Sequence, residues 1–519
     1  MKKELLFGSE AKNKIEAGID KLADAVRVTL GAKGRNVLLQ REHLKPLITN
    51  DGVTIAKAIE LEDEFENIGA ELVKEVAIKT NDDAGDGTTT ATILAHAIFK
   101  NGLKNIVAGA NPILLNEGIK LATDVVVSSL KNQAKVVAEN SEIKNVATIS
   151  ANSEFIGEII ADAMAKVGIN GVITTEKSNT FETTLKIVEG LQFDRGYISP
   201  YMVSGKEKVE IKDCFILTTN KTINNLGELK DIIEFVIAKN RTLIIIAEDI
   251  VGNALNDIII NNMKGVFNVI GVKSDGFGNR KDEFLMDVAI ATGGKTIVDG
   301  IHNFSTDCLG KAEQITISKS STTIINNKID KEKYLVGLKK ELEAEKSEFM
   351  KEKLRERIAK LSSGIAIIKV GGYTESENEE LALRIEDALN STKSAIEEGI
   401  IAGGGVALLM ASVKVEDYYI GNGFIGDVAT GIKIVKDAVK TPFYQLVENA
   451  GLNGEVVYND WAKKDFGFGF DVKNDIFVDM FEAGIVDAVK VTRSAVQNAS
   501  SIAQLLLSSE VVITHVKTE

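Results

Sequence analysis

Asp86-Gly87-Thr88-Thr89-Thr90 gathers in five residues several groups that can handle phosphate. A glycine lets the backbone come close to an anion. The amides and hydroxyls that follow can donate to phosphate oxygens at a helix N-terminus. Asp86 supplies a hard oxygen of the kind Mg²⁺ takes, through one or two carboxylates plus substrate phosphates. Read alone, the segment is more simply a polar loop with a threonine cap.

Other segments carry weaker signals. Thr29-Leu30-Gly31-Ala32-Lys33-Gly34-Arg35 is a glycine loop after a helix, and read alone a plain helix stop is the better account of it. Asp51-Gly52, between apolar runs, reads alone as a hairpin turn. Gly403-Gly404-Gly405 permits close backbone approach, to a ligand or to another helix. Asp387 falls beside the apolar face of a helix expected over 381–396, where an aspartate is commonly just exposed. Gly294-Lys295-Thr296 imitates a phosphate-binding P-loop, but Ala289 stands where the pattern needs glycine. Its context reads as helix, glycine pair, then a strand at Thr296-Ile297-Val298, the reverse of a P-loop.

These residues need elements to position them. Ile15, Ile19, Leu22 and Val26 repeat at helical spacing, with Ser9 as a plausible N-cap. A second helix is expected over 65–79, another through Ile93, Leu94, Ala97 and Ile98, and a long one over 491–508. The middle differs. Short β-rich runs at 171–175, 215–219, 243–247 and 269–272 alternate with helical segments, the mark of a separate α/β module. Its charged tail, 335–361, keeps Leu335, Leu338, Leu342, Leu354, Ile358 and Leu361 in helical register, an ordinary amphipathic pair. Helical ends around an α/β middle is the simplest organisation.

Bulk properties set limits. The chain has 519 residues, enough for about three domains at ~150 residues each. A net charge of −14 argues against a nucleic-acid binder, which needs a basic face. Cys214 and Cys308 form no CxxC pair, and the four histidines (43, 96, 302, 515) are scattered, so neither a zinc site nor a disulfide framework is expected. A reducing, cytoplasmic setting fits. No stretch reads as a signal peptide or a membrane anchor.

Taken in order, these segments resemble the bacterial group I chaperonins. The likeness covers nearly the whole chain and is strongest at 22–36, 81–92, 193–197, 397–408 and 491–495. It implies a multidomain α and α/β protein: a helical equatorial domain from both chain ends (1–132 and 398–519), a small α/β intermediate hinge domain in two pieces (133–188 and 366–397), and a central α/β apical domain (189–365). It implies an ATP-hydrolysing chaperone that captures non-native polypeptides and encloses them in a ring, with a ten-kilodalton co-chaperonin lid and two stacked rings of seven.

The resemblance also assigns residues. ATP is expected at Thr29, Leu30, Gly31, Ala32, Asn50, Asp86, Gly87, Thr88, Thr89, Thr90, Gly404, Asp471, Val472 and Asp487. Asp86 is expected to hold Mg²⁺, with K⁺ assisting, and Asp51 and Asp387 to position and activate the attacking water. Polypeptide and lid are expected on Tyr197, Tyr201, Met202, Lys230, Ile233, Leu255, Ile259 and Ile260. Without the resemblance, Leu255, Ile259 and Ile260 would read as core. Departures from the family are Ala32 for proline, Asn50 for lysine, Asp471 for asparagine, Ala488 for proline and Lys230 for leucine. The sequence also ends at Val516-Lys517-Thr518-Glu519, without the family's Gly-Met-rich tail. A chaperonin-derived binding protein that no longer cycles is the competing expectation.

Overall fold

A computed structural model describes residues 3–41, 45–168, 171–178, 180–276, 278–298, 304–326, 331–345, 347–362, 364–465 and 467–515. His43, His302 and the last four residues lie outside them. The chain opens with β1 (Lys3–Phe7), α1 (Gly8–Arg27), the ribbon β2 (Val37–Leu39) and β3 (Leu47–Thr49), then α2 (Gly52–Ala58), α3 (Glu64–Ala84), α4 (Thr88–Val107), α5 (Pro112–Gln133), α6 (Asn140–Ala151) and α7 (Glu154–Val167). The middle holds β4 (Val172–Lys177), β5 (Thr184–Phe193), β6 (Lys208–Thr218), β7 (Thr222–Ile223), α8 (Lys230–Ala238), β8 (Leu243–Ala247), β9 (Asp249–Ile250), α9 (Gly252–Met263), β10 (Val269–Lys273) and α10 (Asn279–Thr292). There follow β11 (Gly310–Ser318), β12 (Thr322–Ile325), α11 (Glu332–Ala344), α12 (Glu348–Ser362), β13 (Gly364–Val370) and α13 (Glu375–Glu398). The last stretch runs β14 (Ile400–Ala402), α14 (Val406–Asn422), α15 (Gly426–Ala438), α16 (Thr441–Asn449), α17 (Gly454–Trp461), β15 (Phe468–Asp471), β16 (Ile476–Asp479), β17 (Val486–Ala488), α18 (Val489–Ser508) and β18 (Val511–His515).

Two compact units result. The first contains 1–162, 175–184 and 369–519, and the second 163–174 and 185–368. In the first unit α1, α3, α4, α5, α14, α15 and α18 share one apolar core, with Ile19, Leu22, Leu94, Ile98, Phe99, Leu115 and Val496 at its centre. Close helix contact depends on glycine at two crossings. A Cβ on Gly18 would lie 1.8 Å from the Glu66 carbonyl oxygen, and one on Gly69 2.3 Å from that of Ile15.

The second unit is built on an eight-stranded sheet of order β10-β8-β6-β11-β12-β5-β13-β4. β10, β8 and β6 run parallel through the crossover helices α8 and α9, and β6, β11, β12 and β5 pair antiparallel. Side chains alternate across a strand. Ile216, Ile244 and Ile270 therefore pack toward α10, α11 and α12, while Phe215, Leu217, Leu243 and Ile245 pack toward α8 and α9. Cover on both faces explains why all of Leu-Ile-Ile-Ile-Ala in β8 is buried. Arg357 ties α12 to α10, donating to Asp287 and Glu283, and Tyr334 of α11 also donates to Asp287.

Three local readings change. α1 starts at Gly8 with Phe7 at the cap, so Ser9 lies within the first turn and caps nothing. The hairpin is β2–β3; Asp51-Gly52 follows it and starts α2 instead, because the Asp51 carboxylate accepts from the amides of Val53 and Thr54. Thr296–Val298 forms no strand: Ile297 makes a single bridge to Thr219 after the left-handed cap Gly293.

Candidate functional site

A cavity of about 580 Å³ opens in the first unit. Stretches far apart in sequence build its wall, α6 and the residues after it (144–154) among them. The turn after α1 brings Thr29 to Ala32, and the β3–α2 junction brings Asn50, Asp51 and Gly52. The N-terminus of α4 brings Asp86 to Thr90. From the far end of the chain come α13, Gly404 and Gly405, Asp471 and Val472, and Asp487. All fourteen residues expected to bind ATP and both expected catalytic carboxylates thus line one cavity.

Glycine shapes this wall. Gly87 precedes α4 in the left-handed region, at φ +84°, and leaves the first amides of a twenty-residue helix directed to the cavity end. A Cβ there would sit 2.6 Å from Val491 Cγ1. At Gly52 a Cβ would meet the Thr88 and Thr89 hydroxyls at 2.6 Å each, so only glycine lets α2 and α4 begin side by side. The Thr29 and Thr89 hydroxyls then lie 3.2 Å apart.

The carboxylates crowd one another. Asp86 Oδ1 accepts from the Gly87 amide at 2.5 Å, Oδ2 from Ser150 Oγ at 2.9 Å, and the Ser391 hydroxyl reaches it as well. Each of Asp86, Asp387 and Asp487 is half-buried at the surface of the recess while protein surrounds it. Burial is the main cause that raises all three acids. For Asp387 the charges of Asp86, Asp51 and Glu386 add to it, and the acid stands well above the usual range. Asp487 is pushed up to about 7, with Asp86 as the second cause. Like charges held this close favour a bound cation. Among the described residues no three His, Cys, Asp or Glu side chains form a ready metal cage.

Ser150, Ser391 and Arg384 of this wall were not singled out from the sequence. Ser391 and Arg384 fall one turn after and one turn before Asp387 on α13, a spacing that could have pointed to them. The residues expected at the polypeptide surface divide. Tyr201, on the 3-10 turn Pro200–Val203, is 68% exposed, Ile260 of α9 is 47% exposed, and Lys230 opens α8 in solvent. Tyr197, Leu255 and Ile259 are half-buried. Met202, 3% exposed, and Ile233 are core residues, and Met202 Sδ accepts from the Gly271 amide at 3.3 Å. They support this surface from below and cannot present it. Ile237 and Met263, exposed on α8 and α9, were not expected.

The fold and the cavity define a protein of the chaperonin class. The TCP-1/cpn60 chaperonin family model matches residues 22–517, and the chain belongs to that family, whose work is chaperoning. Its fold is similar to that of the chaperonin gp146 from bacteriophage EL 2 (Pseudomonas aeruginosa), solved in the presence of ATP-BeFx. The TM-score is 0.71 at 20% identity over 99% of each chain.

Proposed function

We propose that this chaperonin binds and hydrolyses ATP in the first unit and uses the cycle to hold and release non-native polypeptides on the second. The observation that carries the reading is the convergence of Asp51, Asp86 and Asp387 with the N-terminus of α4 in one cavity. The similar phage chaperonin, solved in the presence of ATP-BeFx, supports it.

In this reading the α4 amides and the Thr88, Thr89 and Thr90 hydroxyls hold the phosphates, while Gly404, Asp471, Val472 and Asp487 hold the nucleoside. Asp86 takes Mg²⁺, which neutralises phosphate charge, and K⁺ assists beside it. Asp387 and Asp51 orient the attacking water, and Asp387, raised by burial and by its neighbours' charge, accepts its proton when ionised.

Polypeptide docks on Tyr201, Ile260 and the adjoining apolar residues of α8 and α9, an exposed patch of the kind that marks a binding surface. The three-domain division given by the resemblance, a co-chaperonin lid, two stacked seven-membered rings and a cytoplasmic setting complete the proposal. Self-assembly has one support in the chain itself. The ribbons β1–β18 and β2–β3 each have only two strands and expose apolar side chains, Leu38 at 72% and Phe7 at 60% among them. Such ribbons are marginal alone and suit pairing with a second copy.

A steady-state ATPase assay with and without Mg²⁺ tests the reading. Magnesium-dependent turnover is expected. A purified, assembled protein without it refutes the proposal and leaves the binding protein that no longer cycles.

A further inference from the structure

Three basic residues line the cavity: Lys144, Lys473 and Arg384. Lys144 is held by Glu154 at 3.0 Å and Glu158 at 2.9 Å. Lys473 belongs to the β15–β16 turn, where its amide donates to Asp471. Arg384 is different. It lies on α13 three residues before Asp387, so both side chains leave the helix on the same side and both reach the cavity wall.

The guanidinium of Arg384 is incompletely used. One terminal nitrogen donates to Glu380, a turn further back on the same helix. Its Nε is buried without any hydrogen-bond partner, although the side chain as a whole keeps 26% exposure. A buried donor lacking an acceptor is costly and marks a site awaiting a ligand or water. Guanidinium presents several donors in a planar fork, the shape that suits a phosphoryl group.

The surroundings need such a cation. Asp51, Asp86, Asp387 and Asp487 all face the cavity, and Asn50 contributes no charge beside Asp51. Transfer of a terminal phosphoryl group spreads negative charge over its outer oxygens, and positive charge placed there speeds the reaction.

We propose that Arg384 is a further phosphate-contacting residue of this site, one that exchanges Glu380 for the terminal phosphate of ATP and steadies it while Asp387 orients the water. The assignment rests on the nucleotide reading above. It predicts discrimination between ATP and ADP, since only ATP carries the group that Arg384 grips.

The test uses the full-length assembled protein with Mg²⁺, and Arg384→Ala, Arg384→Gln, Arg384→Lys and Glu380→Gln variants. Calorimetry measures ADP alone and ADP with beryllium fluoride, which fills the terminal phosphate position. Single-turnover hydrolysis is followed in parallel. For Arg384→Ala and Arg384→Gln we expect ADP affinity within about threefold of the parent, beryllium fluoride complex affinity reduced at least about tenfold, and hydrolysis slowed about 10²–10³-fold, in line with the loss of one charge-stabilising group. Arg384→Lys should recover part of both losses, because it restores charge without the fork. Glu380→Gln should tighten the beryllium fluoride complex by releasing the arginine. Equal weakening of both ligands would mean that Arg384 shapes the pocket and does not read the phosphate. Hydrolysis within threefold of the parent in either neutral variant, or no tightening by Glu380→Gln, also overturns the exchange. A parent that binds neither ligand sinks the nucleotide reading itself, and this assignment with it.

Discussion

Asp387 and Asp86 sit within one carboxylate cluster, yet their surroundings fit them to different work in the proposed reading. Asp86 is gripped by the Gly87 amide and by Ser150, so its oxygens are fixed in direction, as a metal ligand's must be. Asp387 stands well above the usual acid range through burial and its neighbours' charge, which makes it a better proton acceptor when ionised. Asp387→Ala should therefore bind ATP normally and hydrolyse it about 10²–10⁴-fold more slowly in single turnover. Asp86→Ala should lose Mg²⁺–ATP affinity itself. Hydrolysis by Asp387→Ala within threefold of the parent would rule it out as the catalytic carboxylate. Asp487 yields a pH prediction. Its ordinary value is 3.8 and its folded value about 7. The folded chain therefore holds a proton that the unfolded chain has released, and stability falls as pH rises through that window. Without Mg²⁺ or nucleotide, Asp487→Asn should gain on the parent in thermal midpoint between pH 5 and pH 7.5. A gap that stays constant with pH would contradict this. Asp86 was legible because Gly87 to Thr90 carry chemistry in sequence, whereas Asp51, Asp387 and Asp487 were assigned only by the family resemblance. Arg384, Ser150 and Ser391 were not legible, since a single polar residue on a helix says nothing about which cavity it meets.

At the scale of elements, α4 is the decisive one. It starts at a left-handed glycine, and no side chain caps its first amides. Gly87→Ala must place a Cβ against Val491 and force a left-handed alanine, which costs about 1–2 kcal/mol in backbone strain alone. The expected outcome is a lower thermal midpoint together with weaker nucleotide binding. A variant as stable as the parent that binds ATP equally well would mean that the loop relaxes freely. Periodicity located the long helices, and short apolar β-rich runs located the buried strands β8 and β10, because burial on one face leaves a repeat and burial on both leaves an unbroken run. It failed where a short polar segment has two uses. Asp51-Gly52 carries a turn's composition, yet the Asp51 carboxylate finds two helical amides and caps α2. Met202 and Tyr201 are neighbours on one 3-10 turn, and only the sheet beneath decides that one side chain goes in and the other out.

For the whole molecule, the proposed function assigns chemistry to one of the two units and capture to the other. The carboxylate-lined cavity draws every lining residue from the first unit, while Tyr201, Ile260, Ile237 and Met263 belong to the second. Sequence could suggest this division, since helical ends enclosing an α/β middle show in the pattern. It could not show which apolar residues of α8 and α9 stay exposed. Helical spacing is the same for a core face and a docking face, so Ile233 and Ile237, one turn apart, look alike until the sheet covers one of them. Lesions in the second unit should therefore abolish capture and spare hydrolysis. Tyr201→Glu places a carboxylate on the exposed patch, and an apolar client segment docking there must strip its water without offering a partner, a cost of several kcal/mol. Ile260→Ser removes apolar area from the same face and leaves the buried residues below it, Met202 and Ile258, in place. Both variants should keep the parent's assembly by native mass measurement and its ATPase rate within about twofold. Both should fail to suppress aggregation of a chemically denatured test protein at a concentration where the parent succeeds. Met202→Ser is the contrasting case: it opens a cavity in the core beneath the patch, and its defect should show first as a lowered unfolding midpoint. If Tyr201→Glu and Ile260→Ser both capture denatured protein as well as the parent, the client surface lies elsewhere on the second unit. If they lose ATP hydrolysis together with capture, the two activities are not divided as the units are.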